Sequence, residues 1–224
     1  MKQLSYLLIA VGFLLTSCAS TKLINSWSDK DSTPKHYDNI GVTVLFPNSS
    51  NRYVTEHAIV DQLKEKGLNG MSTVDVFPLA ARISQGEELL KDSEAVRKSV
   101  VTKVKENNID ALMIVTLFDI THEKRWVNDR NIAVGGTGYY GTPYGMSGMY
   151  HDYYAYSLGT IYNSGYYTDN ATYFIECNLY DVESEKLIYR AQSKSTNIKS
   201  VEDEAKALAY LVTKQLINKK VVSR

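Results

Sequence analysis

Apolar and polar positions alternate along residues 39–46, where Ile40, Val42, Val44 and Phe46 fall on one side and Leu45 adds apolar surface to the other. That pattern predicts a strand in the interior of a sheet. Pro47 stops it, Ser50 or Asn51 offers an N-cap, and residues 52–66 read as a helix with Glu56, Ile59, Val60 and Leu63 along one stripe. Gly67 stands where such a helix stops. Residues 72–77 predict a short second strand ending at Pro78. In 92–107 the valines Val96, Val100 and Val104 recur every fourth position, which predicts a second helix. Residues 111–118 are nearly all apolar, as expected of a strand buried on both faces, with the charged stretch 121–126 as its exposed extension.

Alternation returns over 171–180, with Tyr173, Ile175, Cys177 and Leu179 facing one way and Thr172, Phe174, Glu176 and Asn178 the other. A polar turn at 181–185 and a return strand at 186–195 complete a hairpin. The last helix, over 201–220, has Ser200 as cap, Glu202, Asp203 and Glu204 in its first turn and Lys219 and Lys220 in its last, complementing the helix dipole. Its apolar stripe is Val201, Ala205, Leu208, Val212 and Leu216. The order β-α-β-α-β, a long insertion, then β-β-α predicts an α/β (α+β) domain over 37–224, with helices packed on a mixed sheet of four or five strands. Ile114, Val44 and Ile175 are expected in its core, with Cys177 buried beside them.

The first twenty residues carry a different signal. Lys2 is followed by a mostly apolar run over 4–15, too short for the ~20 residues that span a bilayer but proportioned as a secretory signal. Leu15, Thr16, Ser17 and Cys18 resemble the lipobox of bacterial lipoproteins. That resemblance implies that residues 1–17 are a signal peptide and that Cys18 becomes the first mature residue, carrying acyl chains on its sulfur and amine. Residues 18–36, polar apart from an apolar spot at Trp27, read as a lipidated start and tether. No aspartate directly follows Cys18, a pattern that in such lipoproteins implies retention at the outer membrane, facing the periplasm. Cys177 is the only other cysteine, so with Cys18 lipidated no intramolecular disulfide is available.

The anchored start, the strand at 37–46, the Arg52 and Glu56 pair opening the first helix, and Ile109, Asp110 and Ala111 entering the third strand resemble a group of envelope lipoproteins. The group comprises the lipoprotein activators of peptidoglycan synthases, the periplasmic part of curli-secretion lipoproteins and the N-terminal domain of the Tol-system propeller protein. The likeness spans roughly 37–127 and 170–220. It implies a binding or assembly role in the envelope, with an envelope protein or glycan as partner, and it transfers no catalytic residue.

The insertion at 128–169 departs from that group. Within 135–167, ten residues are Tyr and eight are Gly, and Asp152 is the only formal charge, so the stretch lacks the charge and aromatic depletion typical of disorder. Tyr with Gly, Ser and Asn suits recognition loops. The candidate partner-binding residues are Tyr139, Tyr140, Tyr144, Tyr150, Tyr153, Tyr154 and Tyr156. Two other readings stand beside this one: a hairpin or tether shielding apolar surface, and self-association of stacked Tyr/Gly strands in a structural lipoprotein.

Other chemistry is thinly represented. Lys and Arg balance Asp and Glu at 25 each, which leaves no basic surplus for nucleic acid. Gly136, Gly138 and Gly141 match G-x-G-x-x-G, but Pro143, Gly145 and Gly148 follow and leave no helix to receive a pyrophosphate. His36, His57, His122 and His151 lack metal-ligand spacing, so no metal and no cofactor is expected. An envelope hydrolase would have to use Cys177, which needs an exposed thiolate, or the pair His151 and Asp152. The expectation is a non-enzymatic binding or assembly component, lipid-anchored and facing the periplasm.

Overall fold

A computed structural model describes residues 21–31, 33–77, 93–122, 171–196, 198 and 200–224. In chain order the elements are β1 (Thr21–Ser28), β2 (Lys35–His36), β3 (Ile40–Leu45), α1 (Ser49–Glu65), β4 (Gly70–Ser72), α2 (Ser93–Glu106), β5 (Ala111–His122), β6 (Ala171–Asp181), β7 (Leu187–Thr196), α3 (Val201–Asn218) and β8 (Val222–Ser223). Six strands form one mixed sheet in the order β1-β7-β6-β5-β3-β4, and β2 pairs in parallel with β8 apart from it. β3 runs parallel to β4 and β5, while β5, β6, β7 and β1 pair antiparallel in turn. Among the described residues three helices pack on this six-stranded sheet and make an α+β fold, as the periodicity predicts, against the four or five strands expected.

The sheet buries both faces because its central strands are apolar on both. On one face Val42 and Val44 of β3, Met113 and Val115 of β5, and Cys177 and Leu179 of β6 meet Ile59 and Leu63 of α1 and Leu208, Val212 and Leu216 of α3. On the other, Leu45, Leu112, Ile114 and Tyr180 meet Val100 and Val104 of α2. Val44, Ile114, Ile175 and Cys177 are all buried, as the alternation implies. Gly41 sits where β3 runs closest to the start of β5: a Cβ there would lie 3.0 Å from two methyl carbons of Ile109.

Four local expectations are corrected. Residues 21–28 are not part of a tether: they form β1, an edge strand paired with β7 from Thr21 against Ser195 to Ser28 against Tyr189. Residues 72–77 do not form a strand. β4 ends at Ser72, and Thr73 is held by its own bonds, its N–H donating to the Val42 carbonyl at 3.1 Å and to Glu56 Oε2 at 3.1 Å. The cap of α1 is Asn48, whose Oδ1 accepts the Asn51 N–H at 3.0 Å, so the helix starts earlier than the Ser50 or Asn51 cap would place it. Ser200 caps α3 as expected, but that helix ends at Asn218, and Lys220 turns away with a positive φ of 54°.

Candidate functional site

Three polar clusters stand out from this scaffold: two hold the fold together at the ends of the sheet, and the third joins a buried carboxylate and amide, Glu176 and Asn178, to part-exposed and exposed groups at its edge. The first lies at the carboxyl ends of β3 and β4, the ordinary ligand position of parallel strands. Here it is filled by the chain's own Arg52 and Glu56, one turn apart on the buried side of α1, with Nε 2.9 Å from Oε1. Glu56 also accepts the Val44 N–H at 2.9 Å and the Ser72 hydroxyl at 2.8 Å, and Arg52 Nη1 donates to the Phe77 carbonyl at 2.8 Å. With both side chains buried, the pair staples α1 to β3 and to the turn after β4.

The second cluster closes the opposite end of the sheet. Asp181, at the end of β6, accepts from Lys35 Nζ at 2.7 Å and Tyr37 OH at 3.1 Å through Oδ2, and from the Ser184 N–H and hydroxyl at 2.7 Å through Oδ1. Burial alone would push the Asp181 carboxyl up. The Lys35 ammonium, the two Ser184 donors and the Tyr37 hydroxyl outweigh it and hold the carboxyl down to about 2. Tyr37 is pushed the other way, first by burial and then by the Asp181 charge. Because folding depresses this carboxyl from 3.8, its stabilisation is complete above that value and is lost as pH falls through about 2. Asp181→Asn should therefore flatten the acid limb of stability: chemical denaturation of wild type should weaken more than that of the variant between about pH 4 and pH 2.

The third cluster lies on the outer half of the sheet, on the face that α2 shares and that α1 and α3 do not cover. Register sets it out: Asn178 and Trp27 both stand opposite Arg190, and Glu176 and Asn25 both stand opposite Gln192. Glu176 Oε1 accepts from Asn178 Nδ2 at 2.9 Å, and its Oε2 accepts from Gln192 Nε2 at 2.8 Å. Arg190 Nε donates to Asn178 Oδ1 at 3.0 Å and stands 3.8 Å from Glu176 Oε1. The carboxylate is thus fixed by amide donors beside a guanidinium, which orients every member of the ladder. Aromatic groups flank it: Trp27 on β1, 46% exposed, and Phe118 on β5, 41% exposed, whose ring lies 5.9 Å from that of Phe174. Lys194 extends over the Phe174 ring at 5.9 Å. Glu176 and Asn178 are buried, so what this row offers outward is the part-exposed Arg190 and Gln192 that they hold in place, together with the exposed rings of Trp27 and Phe118.

Cys18 and the seven candidate tyrosines Tyr139, Tyr140, Tyr144, Tyr150, Tyr153, Tyr154 and Tyr156 lie outside the described residues, as do His151 and Asp152. Cys177 is 1% exposed in the core under α1 and α3, and burial, with the Glu176 charge adding to it, pushes its thiol up and away from the thiolate that a nucleophile needs. His57 stacks on Tyr53 at 3.9 Å, and His36 stands 3.5 Å from Asp38 near β2. Among the described residues no three of His, Cys, Asp and Glu gather as metal ligands. Sequence reading missed the polar ladder because cross-strand register within the hairpin, and not periodicity, sets Glu176 against Gln192 and Asn178 against Arg190. Trp27 looks like an apolar spot in a polar segment, and only the pairing of β1 with β7 sets it beside Arg190.

No family model matches the chain, and no curated protein matches it. Among solved structures, a single-substitution variant of PelC from Paraburkholderia phytofirmans, a dodecamer, is 8% identical, with 89% of this chain and 99% of that one covered at a TM-score of 0.43. The PelC dodecamer of the same organism in a second crystal form is also 8% identical, with 91% and 99% covered at the same TM-score of 0.43. Nothing about partners, assembly or residue roles is carried from them to this chain.

Proposed function

We propose that this protein is a non-enzymatic lipoprotein of the bacterial envelope, anchored through Cys18 at the outer membrane and facing the periplasm, that binds an envelope protein or glycan as an assembly component. The observation that carries the binding role is the pair of exposed rings, Trp27 and Phe118, flanking the part-exposed Arg190 and Gln192, which the buried Glu176 and Asn178 hold in place. The anchor rests on the lipobox-like Leu15 to Cys18, and the Tyr-rich stretch 135–167 supplies a second set of contact residues by its composition.

Photocrosslinking in the intact envelope tests the role. A crosslinker at Trp27 should capture one discrete species, and Tyr154→Ala combined with Tyr156→Ala should reduce that capture while leaving the thermal midpoint nearly unchanged. A large fall in midpoint would make those tyrosines core and remove them from the binding surface. Self-association through 135–167 is the competing structural role, and it predicts oligomers of the anchorless domain that vanish when the segment is deleted.

A further inference from the structure

The placement of β1 fixes how the domain meets the membrane, given the anchor proposed at Cys18. Thr21, the first residue of β1, is 4% exposed, and its hydroxyl lies 3.0 Å from Ser195 Oγ and donates to Glu204 in the first turn of α3. Only residues 19 and 20 separate it from Cys18. At 3.8 Å between successive Cα atoms, that connection spans at most about 11 Å. The domain is far longer: the twelve residues of β5 alone extend about 40 Å. A tether over 18–36 would have let any part of the surface reach the lipid, whereas a link of this length permits only what surrounds Thr21.

We infer that the end of the sheet at Thr21 is the membrane-facing surface, docked end-on against lipid headgroups. Among the described residues one row of strand ends composes it: Thr21 pairs with Ser195, Thr196 with Thr172, and Ala171 with His122, with the N-terminus of α3 alongside. Headgroup charge does not by itself select this end, because Lys22 and Lys194, opposite each other, are matched by Glu202 and Asp203 at the start of α3. Charge does distinguish it from the alternative of lying flat along β1. Lys22 is near the anchor, whereas Asp29 and Asp31, with Lys30 between them, follow the far end of the strand and leave it a net negative charge, so the flat arrangement sets an excess carboxylate on anionic phosphates. It would also strip water from the unpaired backbone groups of the edge strand. The described part of β5 ends at His122, paired with Ala171 at the start of β6, so both residues that flank the stretch containing the Tyr/Gly-rich segment belong to the lipid-facing end.

The test uses the full lipidated protein in vesicles of phosphatidylethanolamine and phosphatidylglycerol that carry headgroup nitroxides. A fluorophore is placed on Lys22→Cys, Lys30→Cys or Glu183→Cys, three sites on the surface. Quenching should be several-fold stronger at residue 22 than at 30 or 183. Equal quenching at 22 and 30 sets the domain on its β1 edge and overturns the end-on arrangement, and strongest quenching at 183 reverses it. Failure of the wild-type protein to co-sediment with vesicles removes the anchor and the orientation with it. Co-sedimentation without depth contrast overturns the orientation alone.

Discussion

Glu56→Gln is expected to lower the stability of the folded domain by about 3–5 kcal/mol, the usual cost of breaking a buried ion pair from one side. The carboxylate receives four donors: Arg52 Nε, the Val44 and Thr73 N–H groups and the Ser72 hydroxyl. Glutamine keeps the size and one oxygen but turns an NH2 group toward donors, and it leaves the Arg52 guanidinium buried without its counter-charge. For a chain of this size each kcal/mol moves the thermal midpoint by about 2–4 °C, so a fall of roughly 10 °C is expected in a calorimetric scan. Replacing both members, Arg52→Met with Glu56→Leu, should recover part of the loss. The unpaired charge then disappears, and only the backbone donors and carbonyls that the pair served remain unmet. A double variant no more stable than Glu56→Gln would show that the ion pair itself is not the source of the cost. The site is also a test of register, since the same carboxylate bonds both β3 and the turn after β4.

How much of this was legible in the sequence follows from the range of the interactions involved. The strand at Ile40–Leu45, the helix stripe through Ile59 and Leu63, and the hairpin of β6 and β7 all declare themselves within ten to twenty residues, because each buries its own periodic face. Thr21–Ser28 does not. Its apolar members Leu23, Ile24 and Trp27 obey no clean alternation, and the register slips between Leu23 and Asn25, so Ile24 falls at an irregularity of the strand. That segment is a strand only because β7 offers it an edge. The misreading at 72–77 has the opposite cause. Thr73, Val74 and Val76 carry strand propensity, but Glu56 and Val42 take hold of Thr73 and end the ladder at Ser72. In both places a long-range contact decided what local preference left undetermined.

The candidate surface divides in the same way. Cys177 and its burial could be read from alternation with Ile175 and Leu179, because strand period alone assigns the face. Glu176, Asn178 and Gln192 carry no comparable signal: as single residues they are polar positions of a hairpin, and only cross-strand register turns them into a ladder. The corrected status of β1 matters most for function, since it shortens the link to Cys18 and brings Trp27 onto the ladder's face in one step.

Loss of the acyl groups should have the largest effect of all. Cys18→Ser removes the sulfur on which the diacylglyceryl group would be built, and a hydroxyl does not replace a thiolate as that nucleophile. Each buried methylene contributes about 0.8 kcal/mol, so one chain holds a protein only marginally, while two or more hold it for practical purposes permanently. Wild type should therefore fractionate with membranes, and mass spectrometry of its mature N-terminus should find a diacylated or triacylated Cys18. An uncleaved signal segment could itself cling to lipid, so the decisive form carries a conventional cleavable signal before residues 19–224. That form should move to the soluble envelope fraction by more than tenfold. Its thermal midpoint should match wild type, because Thr21 is held by Ser195 and Glu204 rather than by the lipid. If it stays with the membrane instead, the protein carries a second means of attachment and Cys18 is not the anchor. If it leaves the membrane but melts earlier, the first strand depends on the lipid for its place in the sheet, and the fixed starting point at Thr21 on which the end-on orientation rests does not exist.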